Sequence, residues 1–310
     1  MPVTDERLAQ LTDRLESGIL NLYASGRYAE YLAAMSKFHH YSFGNALLIL
    51  LQCPAATHVA GYTTWRETFG RQVRRGERGI QILAPCQFQY LVEREKIDPV
   101  TGKVLYGRDG KPLTEKRRES ATRFKIATVF DISQTEGREL PNIGVTELTG
   151  EVADFAGIYS RLAALPPLPV EQGHVPGGGK GYTSFKESRI VVKSGMSEVQ
   201  TVKTLVHEIA HAKLHNPEEA EQRKSRREKE VEAESVAYVV CQHFGIDTSD
   251  YSFGYVANWS RGRELAELKA SLDIIHSTAR EIIDAIQPPP PKREVQRQYT
   301  ASKRQKGVRL

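Results

Sequence analysis

The chain has 310 residues, of which 40% are apolar, so it is long enough for two domains that each bury a core. Its formal net charge of +5 is concentrated at one end. Residues 291–310 carry seven Lys or Arg and one Glu, which leaves the remainder near neutral. A nucleic-acid surface must therefore be local rather than spread over the whole molecule.

Cysteine usage and hydropathy exclude secreted and membrane classes. Cys53, Cys86 and Cys241 are far apart and odd in number, so they form neither a zinc-binding pair nor a disulfide framework. The first residues are acidic and lack the apolar stretch of a signal peptide. The longest strongly apolar run, 46–51, is far shorter than the roughly 20 residues of a membrane-spanning helix. We expect a cytoplasmic protein with no membrane partner.

The first half of the chain mixes helical and extended patterns. The predicted helices are 5–24, 27–38, 46–52 and one opened by a capping box at 64–67, and the predicted strands are 80–85 and 87–92. Turns at 98–99 and 109–110 indicate an added hairpin within 93–123.

Basic and aromatic residues lie close together between positions 41 and 78. The span 66–79 holds five Arg against two Glu. Single-stranded nucleic acid is bound by such a composition, because bases stack on exposed rings and phosphates pair with guanidinium groups. The alternative, which is commoner, is that the arginines are simply solvated and the aromatic rings belong to the core; it stays open. The candidate DNA contacts are Tyr41, Phe43, Tyr62, Trp65, Arg66, Arg71, Arg74, Arg75 and Arg78.

The second half begins after a predicted linker at 136–149. A helix is predicted over 151–165 and a short strand at 190–192. A capping box at 197–200 then opens a helix that carries the most informative motif of the chain. A last amphipathic helix is predicted over 264–286.

That motif is His207-Glu208-Ile209-Ala210-His211. Four residues make about 400° of helical turn, so both imidazoles project from one face at a separation that suits one zinc ion. Glu208 lies about 100° round the helix, beside the metal, where it can act on water. Two solvent-facing histidines on an ordinary amphipathic helix are the alternative. His215 continues the stripe, but it lies about 12 Å from His207 along the helix, so we expect an outer or helix-end residue.

A catalytic zinc needs a third protein ligand, which is predicted on the next helix. Positions 230, 233, 237, 240, 241 and 244 form one stripe that is apolar except for Glu230 at its head. A buried carboxylate needs a partner, which a metal would supply. Glu234 is placed to accept a hydrogen bond from a ligating histidine, whereas Glu232 is expected to face solvent. An acidic helix start favoured by the helix dipole is the alternative.

Together these residues resemble a family of metallopeptidase domains. His207-Glu208-x-x-His211, followed by Glu230-x-x-Ala233-Glu234-x-x-Ala237, resembles ImmA/IrrE-type and ArdC-type domains over about 180–285. Similar segments are 181–182, 189–192 and 255–259. The resemblance implies a zincin-like fold and one zinc ion per chain, with manganese as the alternative ion. It also implies Glu230 as third ligand and Glu208 as catalytic base.

The first half resembles the N-terminal single-strand-binding domain of ArdC-type antirestriction proteins. The matching segments are 38–45, 54–65, 70–79 and 129–135. The helices before Phe38 and the 93–123 segment depart from that pattern, which favours a relative from a conjugative element over ArdC proper. The resemblance implies single-stranded DNA as partner.

The sequence thus predicts an α+β protein of two domains. A single-stranded-DNA-binding domain is expected over 1–140, a zincin-like metallopeptidase domain over 145–287 and a basic disordered tail over 288–310. The implied function is that of a DNA-binding, ArdC-like antirestriction factor with zinc metalloendopeptidase activity on a protein or peptide. Two alternatives stay open: a non-catalytic protector of single-stranded DNA with a structural metal, and an ImmA-like protease that cleaves a repressor.

Overall fold

A computed structural model describes residues 3–99, 101–140, 154–217, 224–246, 260 and 263–288. The protein is α+β, as predicted. The helices are α1 (Val3–Ala24), α2 (Tyr28–Lys37), α3 (Phe43–Gln52), α4 (Tyr62–Glu67), α5 (Phe155–Ala163), α6 (Glu198–Leu214), α7 (Arg226–His243) and α8 (Leu265–Ile286). The strands are β1 (Val59–Gly61), β2 (Arg71–Val73), β3 (Ile80–Glu95), β4 (Thr114–Asp131), β5 (Thr135–Gly137), β6 (Val170–Gly173), β7 (Gly181–Ser184) and β8 (Arg189–Lys193). Most of the predicted linker, the segment 255–259 and nearly all of the tail lie outside the described residues.

Helix α4 does not begin where its capping box was predicted. It starts at Tyr62 after Gly61, so Thr64 lies inside the helix and caps nothing. The helix is instead held by Trp65, which is buried and donates its indole N–H to the carbonyl of Phe130 at 2.8 Å. A long-range contact thus overrides the local signal.

Strands β3 and β4 form a long antiparallel ribbon. They pair from Ile80 opposite Val129 to Glu95 opposite Thr114. The two strands predicted at 80–85 and 87–92 are therefore one continuous strand. Because β1 pairs only with residues 129–131 of β4, the ribbon is two-stranded over most of its length. The predicted 93–123 hairpin is its outer part.

The base of the ribbon is fixed by Asp131, which is buried. Its carboxylate accepts hydrogen bonds from the backbone N–H groups of Thr57, His58 and Ser133 at 2.8, 3.1 and 2.9 Å. Burial alone would raise the pKa of Asp131, but these hydrogen bonds outweigh burial and lower it. The carboxylate therefore stays charged and joins the loop before β1 to the turn after β4.

We expect Asp131→Asn to lower the free energy of unfolding at neutral pH by about 1–3 kcal/mol, because an amide NH₂ would face a backbone donor. The folded-state pKa lies below the ordinary value of about 3.9, so the carboxylate stabilises at neutral pH and loses that effect as pH falls through the folded-state pKa. Denaturant titrations should show the two proteins converging in acid. Asp109→Asn, on an exposed turn, is the control. A difference independent of pH would contradict this account.

One apolar core joins helices from both ends of the chain. Buried residues of α1, α2 and α3 belong to the same cluster as those of α5 to α8. Helix α2 packs on α7, where the hydroxyls of Tyr28 and Ser235 lie 3.0 Å apart. The predicted domain boundary near residue 140 stays a prediction.

The site described below is built on a small sheet. Strand β8 is central, with β6 parallel on one side and β7 antiparallel on the other, and it packs against α6. All three cysteines are free thiols. Among the described helices, none combines the length and apolar character needed to cross a bilayer.

Candidate metal centre

Helix α6 forms as its capping signal predicts. The Ser197 hydroxyl accepts a hydrogen bond from the backbone N–H of Gln200. The apolar residues of the helix face the core and are fully buried: Val202, Leu205, Val206 and Ile209. His207 and His211 therefore project from another face, where they are half-buried at the wall of a cleft.

The structure brings together the three residues predicted as ligands. The Nε2 atoms of His207 and His211 lie 3.1 Å apart. Oε2 of Glu230, at the start of α7, lies 3.7 and 3.5 Å from them. Four ligand atoms at 2.0–2.1 Å from a tetrahedral zinc would be about 3.4 Å apart, so this donor set can hold one divalent ion with little movement.

Glu230 and His207 shift the pKa of each other. Contact with the two imidazoles, His207 first, holds the pKa of Glu230 well below its usual range. Burial alone would lower the pKa of His207, but contact with Glu230 and the nearby carboxylates outweighs burial and raises it. Glu230 therefore stays ionised and provides a negative charge that attracts a cation.

Glu208 is held beside the donors by strand β7. Its carboxylate is buried and accepts a hydrogen bond from the Thr183 hydroxyl at 2.8 Å. The strand approaches the helix closely because Gly181 has no side chain. A Cβ there would lie 2.7 Å from Cγ2 of Thr204 and 3.1 Å from Cγ of Glu208. The sequence analysis did not identify Thr183, because only the strand–helix contact reveals it.

Behind the donors lies a chain of buried polar groups. Nδ1 of His211 is 3.0 Å from Nδ1 of His215, the C-cap residue of α6, and Nε2 of His215 is 3.0 Å from Glu232. Glu232 also accepts hydrogen bonds from Lys224 at 2.7 Å and from Ser271 at 3.2 Å. If His211 binds metal through Nε2, its Nδ1–H donates to His215, and Nε2–H of His215 donates to Glu232.

The expectation that Glu232 faces solvent is wrong. Its side chain is 2% exposed, because α7 is covered by α6 and α8 on different sides and not along one stripe. Burial alone would raise the pKa of Glu232, yet hydrogen bonds from His215 and Lys224 outweigh it and lower the pKa. Glu232 is therefore a charged residue that orients His215.

We expect Glu232→Ala to weaken metal binding about 10–100-fold, because His215 loses the acceptor that fixes its orientation toward His211. Competition with a chromophoric zinc chelator measures the change. Ser271→Ala is the matched control, since it removes one hydrogen bond to Glu232 and leaves His215 paired. Unchanged affinity in Glu232→Ala would make this chain of groups purely structural.

The donors line a cleft of about 410 Å³. Its walls include Tyr182 and Phe185 from β7 and the turn after it, and Arg226 and Lys229 from α7. Glu234 lines a second depression, which His207 and Glu208 also line. Its predicted hydrogen bond to a ligating histidine stays a prediction, and the outer nitrogen of His211 faces His215 instead.

The predicted aromatic DNA contacts differ in exposure. Trp65 is 1% exposed, so the expectation of an exposed ring there is wrong; the indole belongs to the core under β4. Tyr41 is half-buried and donates its hydroxyl proton to Val59 O, and Phe43 is half-buried at the start of α3. Tyr62 is 43% exposed. Of the four rings, Tyr62 is the one with a large free face.

The arginines also separate into two groups. Arg71 bonds to Thr135 and Arg138, Arg74 bonds to Glu77 and Ser133, and Arg66 pairs with Glu67. The contacts of Arg71 fasten β2 to the chain around β5, and those of Arg74 fasten the turn after β2 to Ser133. Arg66 pairs with its neighbour in α4 and stays exposed. Arg75 and Arg78 are exposed, with no such partner among the described residues.

The ribbon adds a surface that the sequence analysis did not single out. On one face, Phe88 and Tyr90 stack with ring centroids 6.3 Å apart, and the Arg123 guanidinium lies 4.3 Å from the Phe88 centroid. Both rings are exposed, as is Phe124 on the opposite face. Strand alternation with cross-strand pairing would have been the signal, had β3 been predicted as one strand.

Comparison with known proteins supports the resemblance predicted for the first half of the chain. Residues 2–130 match the model of the N-terminal domain of anti-restriction factor ArdC. An uncharacterised protein of Bacillus anthracis is 29% identical over 304 residues, which cover 91% of this chain and 51% of the relative. The chain thus spans about half the length of that curated relative.

Two crystal structures of the antirestriction ArdC protein from the R388 plasmid are also similar. The metal-free structure has a TM-score of 0.48 at 21% identity, and the Mn(II)-bound structure has a TM-score of 0.44 at 20% identity. Each comparison covers 79% of this chain and 83% of the other. Residues 2–130 of the chain are thus similar to the N-terminal domain of anti-restriction factor ArdC.

Proposed function

We propose that this protein is a metal-dependent peptidase that binds DNA and acts as an antirestriction factor. The proposed peptidase activity is supported by the convergence of three donor atoms beside a carboxylate. Nε2 of His207, Nε2 of His211 and Oε2 of Glu230 meet in a cleft that Glu208 also lines. Zinc is the proposed ion, because two imidazoles and one carboxylate are a common ligand set of catalytic zinc.

A divalent ion held by these donors supplies Lewis-acid activation of water and of a carbonyl group. Glu208 accepts a proton from the attacking water and delivers it to the leaving amine of the peptide. Thr183 fixes the Glu208 carboxylate through its 2.8 Å hydrogen bond. The His215–Glu232 pair keeps His211 in one orientation, so the protein's own groups are positioned before substrate arrives.

The position of β7 supports a peptide as substrate. In the three-stranded sheet β7 is an edge strand, paired on one side with β8 among the described residues. Tyr182 and Thr183 of this strand also line the cleft. An extended peptide can add to such an edge through backbone hydrogen bonds, which brings its carbonyl groups toward the donors.

Removal and return of metal tests the peptidase. Protein treated with a chelator should hydrolyse neither denatured casein nor a quenched fluorescent peptide library, and one equivalent of Zn²⁺ or Mn²⁺ should restore cleavage. Loss of the same activity in His207→Ala excludes a contaminating protease. Metal-loaded protein that cleaves none of these substrates would favour the alternative, a non-catalytic DNA-binding protector with a structural metal.

The N-terminal half supports DNA binding through free positive charge next to exposed rings. Arg75, Arg78 and Tyr62 are exposed near one another in the chain, and the ribbon carries Phe88 and Tyr90 beside Arg123. Stacking needs unpaired bases, so single-stranded DNA is the proposed ligand. The match of residues 2–130 to the ArdC N-terminal domain supports the antirestriction role.

Arg75→Gln with Arg78→Gln should weaken single-stranded DNA binding and reduce the salt slope by about 1.4, at roughly 0.7 per lost phosphate contact. Phe88→Ser with Tyr90→Ser should weaken binding at unchanged salt slope, because stacking releases no counterions. Fluorescence anisotropy with an oligothymidine measures both. Lys186→Gln with Lys193→Gln, exposed on the second half, is the equal-charge control. An equal effect of the Arg pair and the Lys pair would mean nonspecific electrostatics.

A further inference from the structure

A second group of metal-ligating side chains shares no residue with the cleft. His39 and His40 lie in the turn after α2, His243 ends α7, and Asp284 lies in the last turns of α8. One ligand atom each from His39, His40 and Asp284 come within 4.8 Å of one another. Residues from opposite ends of the chain therefore meet at one place.

Hydrogen bonds fix the protonation of two of these rings. Nδ1 of His39 lies 3.3 Å from the carbonyl oxygen of Ser36, and Nδ1 of His243 lies 3.0 Å from the same oxygen. A carbonyl oxygen only accepts, so both rings carry their proton on Nδ1. Each Nε2 is left with a free lone pair. Histidines that bind metals are commonly oriented in this way by a backbone carbonyl.

Metal binding requires the neutral form of an imidazole, which burial favours. Burial lowers the pKa of His39 to about 3, and it also lowers the pKa of His40 and His243. The ring centroid of His39 lies 3.9 Å from that of His40 and 4.5 Å from that of His243. The three rings are therefore packed together, and those of His39 and His40 each have a nitrogen within 4.8 Å of the Asp284 carboxylate.

Asp284 supplies the negative charge. Its Oδ1 atom is buried and has no hydrogen-bond partner among the described residues, which is costly for a carboxylate oxygen. Its Oδ2 atom lies 3.6 Å from Nε of Arg280, whose side chain is 47% exposed. Among the described residues Arg280 is the ion-pair partner of this carboxylate, and its exposed side chain can turn into solvent when another cation binds.

We propose that His39, His40 and Asp284 bind a divalent transition-metal ion beside the ring of His243. Two imidazole nitrogens and one carboxylate oxygen suit zinc, manganese, iron(II) or cobalt(II). The ion joins the turn after α2 to α8, so it stabilises the packing of the first helices against the last. This site is independent of the proposed peptidase.

Metal counting on the full chain tests the site. Equilibrium dialysis against Co²⁺, with cobalt measured by mass spectrometry, should give two ions per wild-type chain. His40→Ala should lose one ion, and so should Asp284→Asn. His58→Ala is the matched control, because His58 is also an exposed histidine before β1 but lies outside the group. We expect it to bind two.

The double variant His207→Ala with Glu230→Ala isolates the new site. It should retain one Co²⁺ per chain, and a hundredfold excess over Kd should raise its unfolding temperature by about 5 °C. Adding His40→Ala should abolish both the binding and the shift. His40 is exposed, so this change should leave the circular dichroism spectrum intact. Binding that persists after His40→Ala and Asp284→Asn, or no Co²⁺ beyond the cleft ion in wild type, overturns the proposal.

Discussion

Glu230→Ala is expected to remove the metal ion of the cleft, so that bound Zn²⁺ falls by about one ion per chain. Glu230 provides both the third donor and the negative charge that lies 3.5 Å from Nε2 of His211. Two imidazoles alone leave a zinc site one ligand short. Glu281→Ala is the control, because that carboxylate is exposed on α8 and pairs with Lys213.

The same variant has a second readout in metal-free protein. Contact with Glu230 contributes to the raised pKa of His207, whereas burial acts in the opposite direction. Removing Glu230 should therefore lower the pKa of His207, which proton NMR of the imidazole resonances follows directly. Full metal content in Glu230→Ala would assign the third ligand elsewhere. An unchanged pKa of His207 in this variant would mean that Glu230 does not interact with His207.

Helices α6 and α7, which hold the candidate ligands, were predictable because the local spacing of apolar residues determines which face of each helix is buried. The capping signal at Ser197 set the start of α6, and the apolar stripe set the side from which His207 and His211 project. A single acidic residue at the head of a buried stripe singled out Glu230. These inferences need only residues within a few turns of one another.

The surroundings of the ligands were not predictable, since they depend on packing between distant elements. Glu232 lies 200° from Glu230 on the same helix, and the stripe argument placed it in solvent. Helix α8 covers that side, with Ser271 against the Glu232 carboxylate. Thr183 reaches Glu208 only because β7 crosses close to α6, and Asp284 approaches His40 across most of the chain.

In the N-terminal half, composition could not separate buried from exposed members of one set. Trp65 and Tyr62 are three residues apart in one short helix, yet Trp65 is in the core and Tyr62 is at the surface. Arg71 donates a hydrogen bond to Thr135 of β5, whereas Arg75 is exposed in the turn after β2. The pairing of β2 with β5 brings Arg71 to its partners, and the contact with Phe130 of β4 holds Trp65 in the core.

Glu208→Gln is expected to keep the cleft metal and lose peptidase activity by about 10²–10⁴-fold, because an amide cannot accept the proton of the attacking water. Its side chain is isosteric and touches Thr183, so the fold should be preserved. Metal content and cleavage of a quenched fluorescent peptide are measured on the same preparation. Loss of the ion from Glu208→Gln would make Glu208 a ligand rather than a base.

Thr183→Val separates the base from its positioning. Valine matches threonine in size but removes the hydroxyl that donates to Glu208 at 2.8 Å. The carboxylate then loses its fixed orientation while keeping its charge, so the cleavage rate should fall about 10-fold, well short of the Glu208→Gln loss. A fall as large as that of Glu208→Gln would mean that the hydroxyl itself contacts the reacting groups. No fall at all would mean that Glu208 needs no positioning by Thr183.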